Sequence, residues 1–389
     1  MGLSSSYRVL PRVVSSGPAP GSPTSLPAPR PGVARTKILR ALHRSTLDKK
    51  RIQSSRARDA APPPGRDTET MAVVINAGRL DFDRKLDFTK LKDACGGELT
   101  MFDDDSPSPE AIAERASGHA VVVSKEVPVD VNLLPDTVKL ICEAGTGYDN
   151  IDLAAARARG ITVCNVPSYS TDAVAHLVIT FVLNFSATVV PQHVALAKGD
   201  RSLFTSSLGT TPHFELTGKT IGLVGGTGAI GTKVAEIARV LGMNVLVWSR
   251  SARTEPGKWE ARESLKDLLA ESDFVSVHCP LNEQTRGLID RDAIASMKPT
   301  AYVINTARGA VINETDLVNA LRAGTIAGAG LDVQEVEPPV EGSPLYDLEN
   351  VMLTPHVGWK RLETRQRLMD LVADNVAAWK AGAAVNVVN

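Results

Sequence analysis

The sequence predicts an α/β protein of two doubly wound domains with parallel sheets, and three observations lead there. Lys219 to Gly231, KTIGLVGGTGAIG, is an apolar strand run that empties into glycines and is followed at once by the helical pattern TKVAEIARVLG. On both sides of it, strand-like apolar runs alternate with helical segments of crossover length, the pattern of parallel sheets covered on both faces. At 389 residues the chain is long enough for two domains of ordinary size.

Composition narrows the partners. The chain is 43% hydrophobic and 22% charged with a net charge of -1, the balance of a soluble globular protein. It offers no electrostatic reason to expect nucleic acid or an anionic membrane as partner, and no apolar run is long enough to span a bilayer. Cys95, Cys142, Cys164 and Cys279 lack metal-type spacing, so they read as reduced thiols, buried in most cases, and no metal site is expected.

Taken in order, residues 1–70 do not read as part of the fold. GPAPGSPTSLPAPRPG is low-complexity, basic residues recur from Arg8 to Arg66, and the first acidic residue is Asp48, so disorder is expected. This acid-poor, Arg- and Ser-rich stretch reads as a transit segment, which would make the protein mitochondrial or otherwise organellar. A non-native extension ahead of a start at Met71, in a cytoplasmic protein, accounts for it equally, and MGLSSS also fits an N-myristoylation pattern. From Met71 the runs AVVINAG, HAVVVSK, VKLICEAG and GITVCNVP read as strands of a first domain. TDAVAHLVITFVLNFSATVVPQHVAL reads as one helical run, more apolar than a single core-facing side requires, lying between domains or subunits or simply inside. The nucleotide unit continues through NVLVWS, FVSVHC, AYVINTA and AGAGLDV, and the last helical pattern, KRLETRQRLMDLVADNVAAWKAG, is expected to return to the first domain. The expected division is an extension over 1–70, a substrate domain over 71–172 and 360–389, and a dinucleotide-binding domain over 173–359.

Gly226, Gly228 and Gly231 fit G-x-G-x-x-G between strand and helix: a glycine for the turn, one for close approach of a pyrophosphate, one for helix packing. The helix start then offers free N–H groups to phosphate. About 23 residues beyond Gly226, where an acidic ribose acceptor is usual, the chain has Ser249 and Arg250. Lacking a carboxylate and gaining a guanidinium fork, this position favours the 2'-phosphate of NADPH over NADH, unless Arg250 is only a solvated loop residue. Arg308 in NTARG, Glu337 in DVQEVEP and His356 in LTPH each follow or flank a strand. Were they to converge, the guanidinium would hold a 2-oxo acid, the imidazole would supply a proton, and Glu337 would favour the charged imidazole. Taken singly, each has an ordinary structural reading.

The stretches AGTGYDNIDLAAARARGITVCNVPSYSTDAVA, GKTIGLVGGTGAIG, HCPLNEQTRGLI, MKPTAYVINTARGAVINETDLVNALRAGTIAGAGLDVQEVEP and NVMLTPHVGW, spread over 144–359, resemble the D-isomer-specific 2-hydroxyacid dehydrogenase family. SKEVPVD, CNVPSYSTDAVAH, HVGW with ETRQRLMD, and the terminal NVVN are most similar to its hydroxypyruvate/glyoxylate reductase and glycerate dehydrogenase branch. The resemblance implies two flavodoxin-like, Rossmann-type domains with an active-site cleft between them, and a homodimer. It implies that Arg308 binds the substrate, that His356 is the acid/base, that Glu337 orients it, and that Thr146 and Gly147 receive the substrate carboxylate. It places Ala229 and Ile230 along the pyrophosphate, Thr306 and Asp332 near the nicotinamide, and Pro280, Thr285 and Gly358 near the cofactor. The implied reaction is NADPH-dependent reduction of a small 2-oxo acid, hydroxypyruvate or glyoxylate, to the D-2-hydroxy acid. An NAD-linked dehydrogenase of other preference and a non-catalytic cofactor sensor are the alternatives. Three departures stand out: one glycine more than the family spacing, so that Gly225 and Gly226 compete for the first role; Ala229 in place of a basic residue; and His176 in place of Glu or Gln, read as structural.

Overall fold

The apolar runs become strands because water reaches neither side of them. In β1 (Ala72–Val74), Ala72 and Val74 enter one core and Val73 another, and all three are fully buried. This computed structural model describes residues 72–205 and 212–389; the readings of residues 1–70, and of Met71 as a start, lie outside the described residues.

β1 joins β2 (Leu99–Met101), β3 (Val121–Ser124), β4 (Leu140–Glu143) and β5 (Thr162–Cys164) in a sheet ordered β2-β1-β3-β4-β5, every pair parallel. Its helices are α1 (Ala77–Leu80), α2 (Thr89–Ala94), α3 (Pro109–Arg115) and α4 (Leu153–Ala158). β2 is absent from the sequence reading because it is a half-exposed edge strand with no buried residue to mark it.

α5 (Thr171–Ala187) and α6 (Val189–Ala197) follow, where one helical run was expected. Thr188 stands between them at φ 48, the helices bend by 64°, and the Asn184 Oδ1 accepts the Val190 N–H at 2.8 Å. Pro191, which has no N–H to give back to the preceding turn, fits a new first turn and not a continued helix. Among the described residues no single helix is long and apolar enough to cross a membrane; α5 and α6 would pass together by length and composition alone.

The second sheet contains β6 (Thr220–Val224), β7 (Asn244–Trp248), β8 (Glu260–Ala261), β9 (Phe274–Val277), β10 (Tyr302–Asn305), β11 (Gly328–Leu331) and β12 (Val351–Leu353). Their order is β12-β11-β10-β9-β6-β7-β8, again all parallel; the two-residue β8 was too short to read from sequence. Crossovers run through α7 (Ala229–Val240), α8 (Leu265–Glu271), α9 (Arg291–Ala295) and α10 (Glu314–Ala323). The last helix, α11 (Leu362–Lys380), buries Leu368, Met369, Val372 and Val376 in the core of Ala72 and Val74. Its Arg365, 1% exposed, fixes the docking by donating to both Asp83 carboxylate oxygens, at 3.0 and 2.8 Å, and to the Leu80 carbonyl at 2.8 Å. All four cysteines are free and buried.

Strand order reverses between β1 and β3 in the first sheet and between β6 and β9 in the second. In doubly wound sheets, ligands bind beyond the carboxyl ends of the strands at such points.

Candidate active site

Arg308 leaves the carboxyl end of β10 on a loop pinned by Asn305. That side chain, 1% exposed, accepts the Ala307 N–H at 3.0 Å and donates to the Arg308 carbonyl at 2.8 Å. The guanidinium is thereby carried to the first sheet's GTGYDN loop, where its Nε donates to Asp149 Oδ1 at 3.0 Å. It lies against the bare backbone of Gly147, where a Cβ would stand 1.7 Å from Nη2. Thr146 is fixed in turn, its hydroxyl donating to the Val166 carbonyl at 3.1 Å and its carbonyl accepting from Asn165 Nδ2 at 2.8 Å. Burial works against the charge of Arg308, but the Asp149 and Glu126 carboxylates overcome it and raise the pKa. Gly147 and Arg308 therefore meet, with Thr146 the next residue along the same loop.

His356 is held from beneath. Asp332, 2% exposed at the end of β11, accepts the Thr354 hydroxyl at 2.6 Å and the Val357 N–H at 2.8 Å through Oδ1, and the Gly358 N–H at 2.9 Å through Oδ2. Burial pushes its carboxyl pKa up against these donors. The Asp332 carbonyl also accepts the His356 N–H at 2.9 Å, so the loop wraps one residue and His356 sits at φ 50, in the left-handed region. Both carboxylate oxygens of Asp332 thus serve the loop. The imidazole Nδ1 is 2.7 Å from Glu337 Oε2, and a carboxylate there assigns the hydrogen to Nδ1. Burial opposes ionisation of Glu337, yet the His356 hydrogen bond and charge win and lower its pKa. His176 lies elsewhere, exposed, with Nδ1 at 3.2 Å from Arg361 Nη1.

Across from the histidine stand charges that the sequence reading passed over. Lys125 follows β3 and is 1% exposed; its ammonium donates to Glu126 Oε1 at 2.6 Å and lies 4.1 Å from the centre of the Trp359 ring. Buried Asn76 clamps the Lys125 backbone, accepting its N–H at 3.1 Å and donating to its carbonyl at 2.8 Å. Glu126, at φ 52, also takes a bond from Arg79 Nη2 at 3.2 Å and stands 3.6 Å from His356 Nε2. Burial favours neutral forms of both, but the pair prevails: Lys125 is raised and Glu126 falls well below the usual carboxylate range, helped by His356 and Arg308. The only signal in sequence was SKEVPVD itself, a Lys-Glu pair at a strand end.

The glycine loop fits a dinucleotide. The left-handed turn falls on Gly225 (φ 77), not on Gly226, and a Cβ at Gly225 would also stand 2.7 Å from the Cys279 nitrogen. The additional glycine is absorbed at that turn. Gly226 packs on Gly231, where a Cβ would stand 2.4 Å from the Gly226 carbonyl oxygen, and Gly228 begins α7 facing open space within 4 Å. Gly228, Ala229, Ile230 and Gly231 thus present a helix start to that space, where first-turn N–H groups lack intrahelical acceptors. On the adjacent strand end, buried His278 Nε2 has no hydrogen-bond partner among the described residues, and burial pushes the imidazole pKa down to about 4, so it stays neutral. Ser249 reaches to within 3.4 Å of the Thr227 hydroxyl, and Arg250 is exposed, donating to Gln284 Oε1 at 2.9 Å. The Thr285 hydroxyl is spent on the Pro280 carbonyl at 2.6 Å, shaping its own turn. Thr306 directly follows β10.

Residues 179–358 match the family described as D-isomer specific 2-hydroxyacid dehydrogenase, NAD binding domain. A glycerate dehydrogenase from Methylorubrum extorquens is 37% identical over 287 residues, which is 72% of this chain and 89% of that protein. A hydroxypyruvate reductase from Blautia hydrogenotrophica is 33% identical over 298 residues, 75% of this chain and 92% of that one. Among solved structures, an NADPH-dependent glyoxylate/hydroxypyruvate reductase from Sinorhizobium meliloti, in complex with NADP and malonate, aligns with a TM-score of 0.70 at 27% identity, covering 82% of this chain and 97% of that one.

Gly147→Ala is expected to push the Arg308 guanidinium off its seat and lower kcat/KM for the acid substrate by about a hundredfold, the scale of an ångström-sized misplacement. Cofactor affinity, read by fluorescence titration, should stay as it was. An unchanged kcat/KM would contradict the placement of Arg308 against this loop.

Proposed function

Because the chain belongs to the D-isomer-specific 2-hydroxyacid dehydrogenase family, we propose that it reduces a small 2-oxo acid such as hydroxypyruvate or glyoxylate to the D-2-hydroxy acid, with NADPH preferred and His356 as acid/base. Membership makes the chain an NAD(P)-dependent oxidoreductase of 2-hydroxy and 2-oxo acids. The observation that carries the finer reading is the imidazole of His356, with Nδ1 bound to Glu337 at 2.7 Å and Nε2 left toward the cleft that Arg308 also enters.

Arg308, fixed by Asp149 and by its seat on Gly147, holds the substrate carboxylate and polarises the carbonyl, with the Thr146–Gly147 backbone alongside. Glu337 keeps a hydrogen on Nδ1 and stabilises the imidazolium, so Nε2 is the atom that gives a proton to the oxygen on C2 in reduction and takes it back in oxidation. The nicotinamide cofactor supplies the hydride. Gly226, Gly228, Ala229, Ile230 and Gly231 would hold its pyrophosphate, with Pro280, Thr285, Thr306, Asp332 and Gly358 shaping the rest of its site. NADPH is favoured because Ser249 replaces a carboxylate after β7 and the Arg250 guanidinium is exposed beside it, while the NADP-bound relative is consistent with such use. We read the protein as a homodimer: Leu183, Val189, Val190 and Val194 on α5 and α6 are 42–60% exposed and together form an apolar face suited to a second copy.

Two substitutions test the roles. His356→Ala is expected to lower kcat by about 10²- to 10⁴-fold, the contribution of a positioned general acid, with cofactor Kd unchanged; turnover near that of the parent would contradict the assignment. Arg250→Ala should raise KM for NADPH by about ten- to a hundredfold, the worth of a charged hydrogen bond, and leave KM for NADH nearly alone. Equal effects on the two donors would remove Arg250 from cofactor choice.

A further inference from the structure

The cleft contains one carboxylate for which the reaction described above has no use. Glu126 stands just beyond β3, where the order of the first sheet reverses, and its backbone lies in the left-handed region at φ 52. A non-glycine residue held in that conformation opposite His356, itself at φ 50, marks a side chain whose placement is maintained against local preference. Lys125 occupies Oε1 at 2.6 Å and Arg79 occupies Oε2 at 3.2 Å, which leaves about half of the four or so acceptor positions of the carboxylate unused. The side chain retains 14% exposure, and its Oε1 lies 3.6 Å from His356 Nε2. Neutralising Lys125 alone would not require the carboxylate to face the reacting nitrogen.

We propose that Glu126 determines which substituent the substrate carries on C3, favouring 2-oxo acids with a hydrogen-bond donor there, the 3-hydroxy-2-oxo acids, and rejecting those with a second carboxylate. The inference rests on the reading of His356 Nε2 as proton donor to the oxygen on C2. That oxygen must come within hydrogen-bond distance of Nε2, and C3 is two bonds from it, so a C3 substituent falls within reach of a carboxylate beside the same nitrogen. A hydroxyl donates to Glu126. A methyl group brings no donor to the positions of the carboxylate that Lys125 and Arg79 leave open, and a second carboxylate meets a fixed carboxylate while the nearby cations, Lys125 and Arg79, are already engaged with it.

The test is steady-state kcat/KM of the full chain with hydroxypyruvate, glyoxylate, pyruvate and oxaloacetate and one donor. The proteins are the parent, Glu126→Gln, Glu126→Asp, and the double variant Lys125→Met with Glu126→Met, in which no buried ammonium is left alone. Each readout is a ratio between substrates on one preparation, so any loss of folded protein cancels. The parent should prefer hydroxypyruvate over pyruvate by about ten- to a hundredfold, the worth of a charged hydrogen bond, and should use oxaloacetate least. In Glu126→Gln the discrimination against oxaloacetate should fall by at least about tenfold, as expected when a like-charge contact is removed. Glu126→Asp should keep it, and the double variant should lose most of the preference over pyruvate. Unchanged ratios in Glu126→Gln and the double variant overturn the proposal and leave the reductase reading standing, as does a parent that favours oxaloacetate or uses glyoxylate but not hydroxypyruvate. A parent that turns over none of the four, with cofactor bound, overturns both.

Discussion

Asp332 accepts hydrogen bonds from Thr354, Val357 and Gly358 while its own carbonyl takes the N–H of His356, and the geometry of the site follows from that arrangement. A carboxylate at 2% exposure is costly to bury unless its lone pairs are used, and here the loop after β12 supplies the donors. The loop is thereby closed tightly enough to hold His356 at φ 50, which aims the imidazole at Glu337 on one side and at Glu126 on the other. Losing this carboxylate would take away the shared acceptor of Thr354, Val357 and Gly358 and so loosen the loop that holds His356.

The rest of the cleft is organised by charge pairing. Arg308 has Asp149, Lys125 has Glu126, Arg79 shares Glu126, and His356 has Glu337. Isolated buried charges are expensive, so each cation comes with an anion drawn from another part of the chain, and Arg308 with Asp149 joins the loops of the two sheets. On the proposed reading, the negative charge such a site receives is the carboxylate of a 2-oxo acid, held near Arg308.

What sequence made legible was local chemistry. Strands and crossover helices around the second sheet could be read from periodicity, and the glycine run could be placed at a strand-to-helix turn, because those signals lie within a few residues of one another. Arg308, Glu337 and His356 could be named from their motifs, but their convergence was not legible: Asp149 binds Arg308 from 159 positions away. Lys125 and Glu126 were visible as neighbours of opposite charge, which on a loop ordinarily means a solvated pair; only the packing of Trp359 and Tyr169 around Lys125 makes them part of the cleft. The left-handed turn falls on Gly225 and not on Gly226, and Gly225 is further bound to be glycine by the backbone of Cys279, on a different strand end. The break at Thr188 was open to a stricter reading of Pro191, whereas the edge strands β2 and β8 bury too little to leave a pattern.

In the proposed reaction, residues from both sheets act together to reduce a 2-oxo acid with a phosphorylated nicotinamide donor. The most direct measurement is steady-state kcat/KM of the unmodified chain with hydroxypyruvate, comparing NADPH with NADH at equal concentration. Turnover with both donors is expected, with a higher kcat/KM for NADPH. Absence of turnover with either donor, once cofactor binding has been established by titration, would contradict it.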